Sequence, residues 1–377
     1  MIEQSVIPVQ RLSPDRPGSA GRGGAAPGAY RPRTAPGGSI SLSQVLSALS
    51  HALDLTEGQP MGHSIRSSVI AMRIASEIQL PHDERSALYY AMLLKDAGCS
   101  SNAARMSALY GSDDRLVKSR MKMVNWHGRM RLAVETFRNA AVGGAAGERI
   151  SHFLGIARTD NVSRDIIRIR CERGADIALR LGFPELTSQA VQSLDEHWNG
   201  KGYPEGLRGE AIPLLSRIAN IAQTVEVFHG AQGVGGVMRM LQARRGRWFD
   251  PALAKVVLGW SRDFAWWAAL AATETPTSLD AARYERWVEE DALDDVARAF
   301  ADIIDAKSPF TFAHSSNVAR FADGIAAELE LEPRARVRLL RASLLHDVGK
   351  LGVSNRILDK AGPLTPTERA EIERHPA

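Results

Sequence analysis

Apolar residues recur along most of this chain at the three-to-four spacing of helices that bury one face. Val318, Phe321, Ala322 and Ile325 share one such face, and Val337, Leu340, Leu344 and Leu345 share another. Glu332-Pro333 lies between them and predicts a helix break there, as the Pro81 region does between an earlier pair. Near the start, Ser41 or Ser43 is placed to cap a helix carrying Val45, Leu46 and Leu49. No stretch shows a convincing strand pattern, so an all-α protein is expected.

The same pattern divides the chain. Residues 1–39 are mostly Gly, Pro, Ala and Arg without periodicity and are expected to form a disordered leader. A helical module is expected over residues 40–245, interrupted by a loop at Gly143-Gly144-Ala145-Ala146-Gly147. Residues 246–295 read as connecting helices with a hinge at 274–278, and residues 296–377 as the N-terminal half of a second module. Residues 118–137 carry several basic side chains with Met121, Met123 and Trp126; core packing with a solvated back face accounts for them better than a binding stripe.

The two modules are related by an internal repeat. His314 precedes His346 by 32 residues, and His63 precedes Lys95 by the same interval. Laid over each other without a gap, the stretches match His63 with His314, Ser64 with Ser315, Ile74-Ala75 with Ile325-Ala326, Leu93-Leu94 with Leu344-Leu345, Asp96 with Asp347 and Gly98 with Gly349. Chance does not hold such a register, and two copies are too few for a solenoid. In each copy one helix opens at the histidine and the next ends at the aspartate, so antiparallel packing can bring the two together.

The second copy carries the chemistry. His346 and Asp347 are adjacent at the end of an apolar run, with Lys350 three residues on. Imidazole binds first-row transition metals, a carboxylate can bridge two of them, and a lysine beside them can meet an anionic oxygen. In the first copy Lys95 replaces the histidine; an ammonium has no lone pair to give and repels a cation. Gly98-Cys99 replaces Gly349-Lys350 and removes the second cation, so this copy is expected to have kept the fold and lost the metal.

Composition changes the picture little. Apolar content of 44% suits ordinary cores, and two cysteines make no disulfide framework, which fits a reducing cytoplasm. No apolar run is long enough to span a membrane, and the opening does not read as a signal peptide. A net charge of +4 with pI 9.2 is mild and concentrated in the opening tail and in residues 239–247, so solvated faces explain it better than nucleic-acid binding.

Three strings resemble the HD superfamily of metal-dependent phosphohydrolases, and within it the HD-GYP subgroup. They are His346-Asp347-Val348-Gly349-Lys350, the run from Ile357 through Gly362-Pro363 to Arg374-His375-Pro376, and Trp198-Asn199-Gly200-Lys201-Gly202-Tyr203-Pro204 in the first module. The resemblance implies two HD-type helical bundles, the second incomplete, with divalent metals, usually iron or manganese, and hydrolysis of cyclic dinucleotides, cyclic di-GMP foremost. It implies His314, His346, Asp347 and His375 as metal ligands and Lys350 as the contact to the scissile phosphate. Some members carry a glutamate four residues before the first histidine; Phe310 stands there, so two ions are expected rather than three.

In the first module the departures accumulate. The Arg-His-Pro of the family falls near Arg170-Cys171-Glu172, its paired histidines are Leu194 and Asp195, and its later aspartate is Gln223. Of the usual ligands His63 and Asp96 remain, while His197 stands out of register. The second module stops just after His375-Pro376, so the sequence is expected to be the front part of a longer protein whose activity resides in that module.

The expected activity is a metal-dependent phosphodiesterase in which Asp347 and Lys350 act directly. The alternatives are a broader nucleotide phosphohydrolase, and a non-catalytic nucleotide-sensing or interaction scaffold, in which the first module binds a nucleotide or a partner signalling domain without hydrolysing it and its Gly202-Tyr203-Pro204 loop serves as the docking surface. Nucleic acid would be a partner only through a further domain.

Overall fold

The computed structural model describes residues 39–124, 129–142, 144–158, 162–273, 284 and 286–375. Residues 1–38 of the expected leader and the hinge at 274–278 lie outside them. The first module contains α1 (Leu42–Thr56), α2 (His63–Glu77), α3 (His82–Leu94), α4 (Ala103–Tyr110), α5 (Asp114–Met123), α6 (Arg129–Asn139), α7 (Ala146–Arg158), α8 (Val162–Arg180), α9 (Glu185–Gln192) and α10 (Leu214–Arg244). Next come α11 (Pro251–Leu258) and α12 (Phe264–Ala271). The second module contains α13 (Ala292–Asp305), α14 (His314–Glu328), α15 (Pro333–Leu345), α16 (Asn355–Leu358) and α17 (Pro366–Glu373).

Helix ends follow local chemistry. Ser41 caps α1 by accepting the Gln44 amide, and Pro333 opens α15 where its missing N–H costs nothing. One expectation needs a small correction: β1 (Ile40–Ser41) pairs antiparallel with β2 (Trp287–Val288), tying the start of α1 to the segment before α13. Two residues on each side are too few to show as an alternating pattern.

The core of the first bundle is Leu46 and Leu53 of α1, Ile70 and Ile74 of α2, Leu88 and Met92 of α3, and Ile218, Ile221 and Val225 of α10, all fully buried. Each such side chain contributes roughly 1.5–3 kcal/mol by leaving water. Phe300 and Ile303 of α13 and Leu351 join the same core, so the second bundle is packed onto the first rather than tethered to it.

The repeat seen in the sequence is a repeat in three dimensions. α1, α2 and α3 correspond to α13, α14 and α15. Ser64 donates its amide (3.0 Å) and its hydroxyl (2.7 Å) to Asp54, and Ser315 does the same to Asp305, also at 3.0 and 2.7 Å. The copies differ in what covers them. α10 packs along α2 and leaves Ile70 and Ile74 at 0% exposure, whereas their counterparts Phe321 and Ile325 are 63% and 61% exposed. Among the described residues the second bundle has no counterpart of α10 over this face.

Candidate metal centre and its altered duplicate

The centre in the second bundle is built on one buried carboxylate. α15 ends at Leu345, and its C-cap His346 and the following Asp347 turn into a short 3-10 segment, Val348–Gly352. Asp347 is 2% exposed, while the imidazoles around it remain open to solvent. Its Oδ2 lies 3.5 Å from His314 Nε2 and 3.3 Å from His346 Nε2, and its Oδ1 lies 3.2 Å from His375 Nε2. The structure therefore brings together all four residues named from the sequence, from α14, the end of α15 and the turn after α17. Lys350 Nζ stands 2.6 Å from Asp347 Oδ2.

The tautomers suit metal binding. His346 Nδ1 donates to the Ser343 carbonyl at 2.8 Å, and His375 Nδ1 donates to the Ile372 carbonyl at 2.7 Å. A carbonyl only accepts, so each Nδ1 is the donor, and Nε2, which faces Asp347, is the ring nitrogen left for a metal to take. His314, His346 and Asp347 offer donor atoms within 4.8 Å of one another, a span that one cation can bridge. Gly349 permits the approach of His375: a Cβ on it would fall inside the His375 carbonyl. The donor set fits a divalent metal.

In the first bundle the corresponding space is filled by side-chain cations. Lys95 pairs with Asp96 at its side. Lys122, reaching in from α5, lies 3.0 Å from Glu57 and 4.0 Å from Asp96; Lys118 and Arg170 lie 3.5 and 3.7 Å from Glu57. Arg170 also pairs with Asp195, and His63 hydrogen-bonds Glu226, which in turn accepts from Arg66 at 2.7 Å.

Burial works against each carboxylate, but the cations prevail: Lys122, Lys118 and Arg170 hold Glu57 well below the usual range, and Lys95 and Lys122 hold Asp96 at about 2. Burial and Lys95 push His63 down, while His63 and Arg66 together hold Glu226 at about 2 against its burial. Glu57, Asp96 and Cys99 offer three donor atoms close together, yet burial raises the Cys99 thiol and the lysines already neutralise the carboxylates. A divalent ion does not fit here.

Several of these residues were invisible in the sequence. Gly98 approaches the Arg170 carbonyl just as Gly349 approaches that of His375, so Arg170 itself occupies the place of the fourth ligand, where the sequence register pointed only near Arg170-Cys171-Glu172. The cation lost with Lys350 is replaced by Lys122, from a segment read as core with a solvated back. Met121 and Lys118 of that segment also face a cavity rather than solvent. His197 is stacked on Trp248 at 4.1 Å and forms part of the cavity wall. In the Gly202-Tyr203-Pro204 loop, Gly202 and Pro204 are buried and Tyr203 faces the cavity, with Glu196 accepting the Glu205 and Gly206 amides at 2.7 and 2.9 Å. Lys201 and Glu205 are what this loop shows to solvent.

The family described as HD domain matches residues 157–253 and 298–377, a part of each bundle. The chain is 42% identical to the 3'3'-cGAMP-specific phosphodiesterase 3 of Vibrio cholerae, over 89% of this chain and 74% of that protein. It is 24% identical to a cyclic di-GMP phosphodiesterase response regulator of Xanthomonas campestris, over 57% of this chain and 47% of that protein. A crystal structure of a cyclic GMP-AMP-specific phosphodiesterase of Vibrio cholerae superposes with a TM-score of 0.65 at 38% identity, covering 90% of this chain and 79% of that one.

Proposed function

We propose, from the premise that this chain belongs to the HD superfamily of metal-dependent phosphohydrolases and to its HD-GYP-type branch of cyclic-dinucleotide phosphodiesterases, that the second bundle hydrolyses 3'3'-cGAMP. The observation that carries the chemistry is the convergence of three Nε2 atoms on the two oxygens of Asp347. The choice of cGAMP over the cyclic di-GMP expected from the sequence rests on the names of the relatives. The one matched over most of its length is cGAMP-specific, whereas the cyclic di-GMP enzyme is matched more distantly over about half of its own.

His314, His346, Asp347 and His375 would hold the metal. His314 and His346 face one oxygen of Asp347 and His375 faces the other, so donors stand on both sides of the carboxylate; the ions they would hold are two, of iron or manganese, by resemblance. When bound, such ions polarise a phosphoryl oxygen and make water acidic enough to serve as a nucleophile near neutral pH.

The remaining roles belong to the protein. The Ser343 and Ile372 carbonyls fix the His346 and His375 rings, so the donors need no reorganisation. The buried floor at Asp347 excludes water from one side while the histidine side stays open to a large substrate. Lys350, on the rim of the same carboxylate, would meet a non-bridging oxygen of the scissile phosphate, where its charge would offset the negative charge that grows in the transition state.

The test is turnover of 3'3'-cGAMP, cyclic di-GMP and cyclic di-AMP by the purified metal-loaded protein beside Asp347→Ala and His346→Ala. Each substitution should lower kcat/KM by about 10³-fold or more, given the several kcal/mol a metal contributes. Undiminished turnover in either variant would remove the assignment of the site, and a preference for cyclic di-GMP would remove that of the substrate.

A further inference from the structure

The altered duplicate is closed to metals, but it is not solid. A cavity of about 180 Å³ lies directly over it, between α4, α5, α8 and α10. Its floor is Glu57 with Lys118, Lys122 and Arg170; its apolar side includes Met106, Met121 and Ile166; and Tyr203, Gln223 and Trp248 face it from the α10 side.

The charges around this floor do not cancel. Lys95, Lys118, Lys122 and Arg170 are four cations, against the three carboxylates Glu57, Asp96 and Asp195. Glu226 is matched by Arg66 at 2.7 Å, so one positive charge is left over. The two cations with some side-chain exposure, Lys122 at 16% and Arg170 at 13%, both line the cavity. Lys122 Nζ lies 3.0 Å from Glu57 and 4.0 Å from Asp96 and is itself buried, so it acts on the cavity through its charge. A surplus charge under a partly apolar roof favours an anion whose other end is apolar. Inorganic anions do not meet the second requirement, and apolar ligands do not meet the first.

We infer that the cavity of the first bundle is a metal-free binding site for a nucleotide, with the phosphate beside Lys122 and Arg170 and the base against Met106, Met121 and Ile166. The Gln223 side-chain amide on the cavity wall suits the base edge, since it supplies both a donor and an acceptor. Nucleotides of two sources share this chemistry: the cyclic dinucleotide proposed for the second bundle and a mononucleotide from elsewhere. The inference stands on the cavity alone and does not require the second bundle to be active.

The site also has a mechanical connection to the second bundle. α5 presents Lys118 and Lys122 to the cavity, and at its other end Asp114 accepts the Asn355 amide at 2.9 Å and faces Lys307 at 3.5 Å. The neighbouring Arg115 pairs with Glu371 at 3.2 Å and donates to the carbonyl of Gly352, at the end of the 3-10 segment that follows Asp347. A ligand gripping α5 therefore touches the element that holds the turn behind the metal centre.

The experiment is calorimetric titration of EDTA-treated Asp347→Ala protein, in which the second site is silenced, with 3'3'-cGAMP, 5'-GMP, 5'-AMP and inorganic pyrophosphate. Binding of at least one nucleotide is expected, with pyrophosphate at least tenfold weaker. Lys122→Met should weaken the nucleotide at least tenfold. Met121→Trp, which fills the apolar side without touching the charges, should do the same and guards against misfolding of the lysine variant. Which nucleotide binds separates the two sources. Absence of binding by all of the nucleotides, or equal affinity in folded Met121→Trp protein, would overturn the inference. Because no turnover is read, its failure is distinct from failure of the hydrolase reading.

Discussion

Glu57→Gln is the sharpest test of the claim that side-chain cations have taken the place of metal in the first bundle. Glu57 is 1% exposed and faces Lys122 at 3.0 Å, Lys118 at 3.5 Å and Arg170 at 3.7 Å. With an effective dielectric constant near 20, each pair attracts by about 4–6 kcal/mol before desolvation is counted. The amide keeps the volume and removes the charge, so the loss is that of breaking a buried ion network, about 3–5 kcal/mol. For a bundle of this size that is a fall of about 6–20 °C in the melting transition of the first module, read by calorimetry. Adding Lys122→Met should return about 1–3 kcal/mol, because it removes one of the cations left without a partner. In Asp347→Ala protein, whose second site is silenced, EDTA should leave this transition in place. A fall under about 2 °C in Glu57→Gln, or a transition of Asp347→Ala protein that moves with EDTA, would refute the reasoning.

Three further outcomes follow from the geometry. Gly349→Ala should lower metal affinity by about 10–100-fold, measured by metal analysis after dialysis, because its Cβ must displace the backbone of His375. Lys95→His should gain no metal in the same assay, since Lys122, Lys118 and Arg170 still hold the carboxylates. Lys307 is pushed down to about 8 by burial and by the neighbouring cations Lys118 and Arg115, which outweigh Asp114. Its folded pKa lies below its unfolded value, so the unfolded chain binds the extra proton between about pH 8 and 10.5 and stability should rise with pH there, by up to about 3 kcal/mol. Denaturant midpoints across that range should show the rise and lose it in Lys307→Met.

The chain by itself determined the helical class, the repeat and the four residues that the second bundle brings together at Asp347. Helical spacing is a local property, and these four sit in a contiguous register or a specific string that survives without knowledge of the fold. The retained Asp96 and the lost histidine at Lys95 were equally legible, because an ammonium cannot be a ligand wherever it is placed. What replaced the metal was not legible. Glu57 is merely the C-cap of α1, where the second copy has Ser308, and Lys122 sits in a basic helix whose inward face carries no periodic sign of it. Arg170 is one arginine among several on α8, and only the approach of Gly98 to its carbonyl identifies it as the counterpart of His375. Charge compensation is decided by which elements meet. Glu57, Asp96, Lys122 and Arg170 come from four separate segments, and their energies exist only once packing has expelled the water between them.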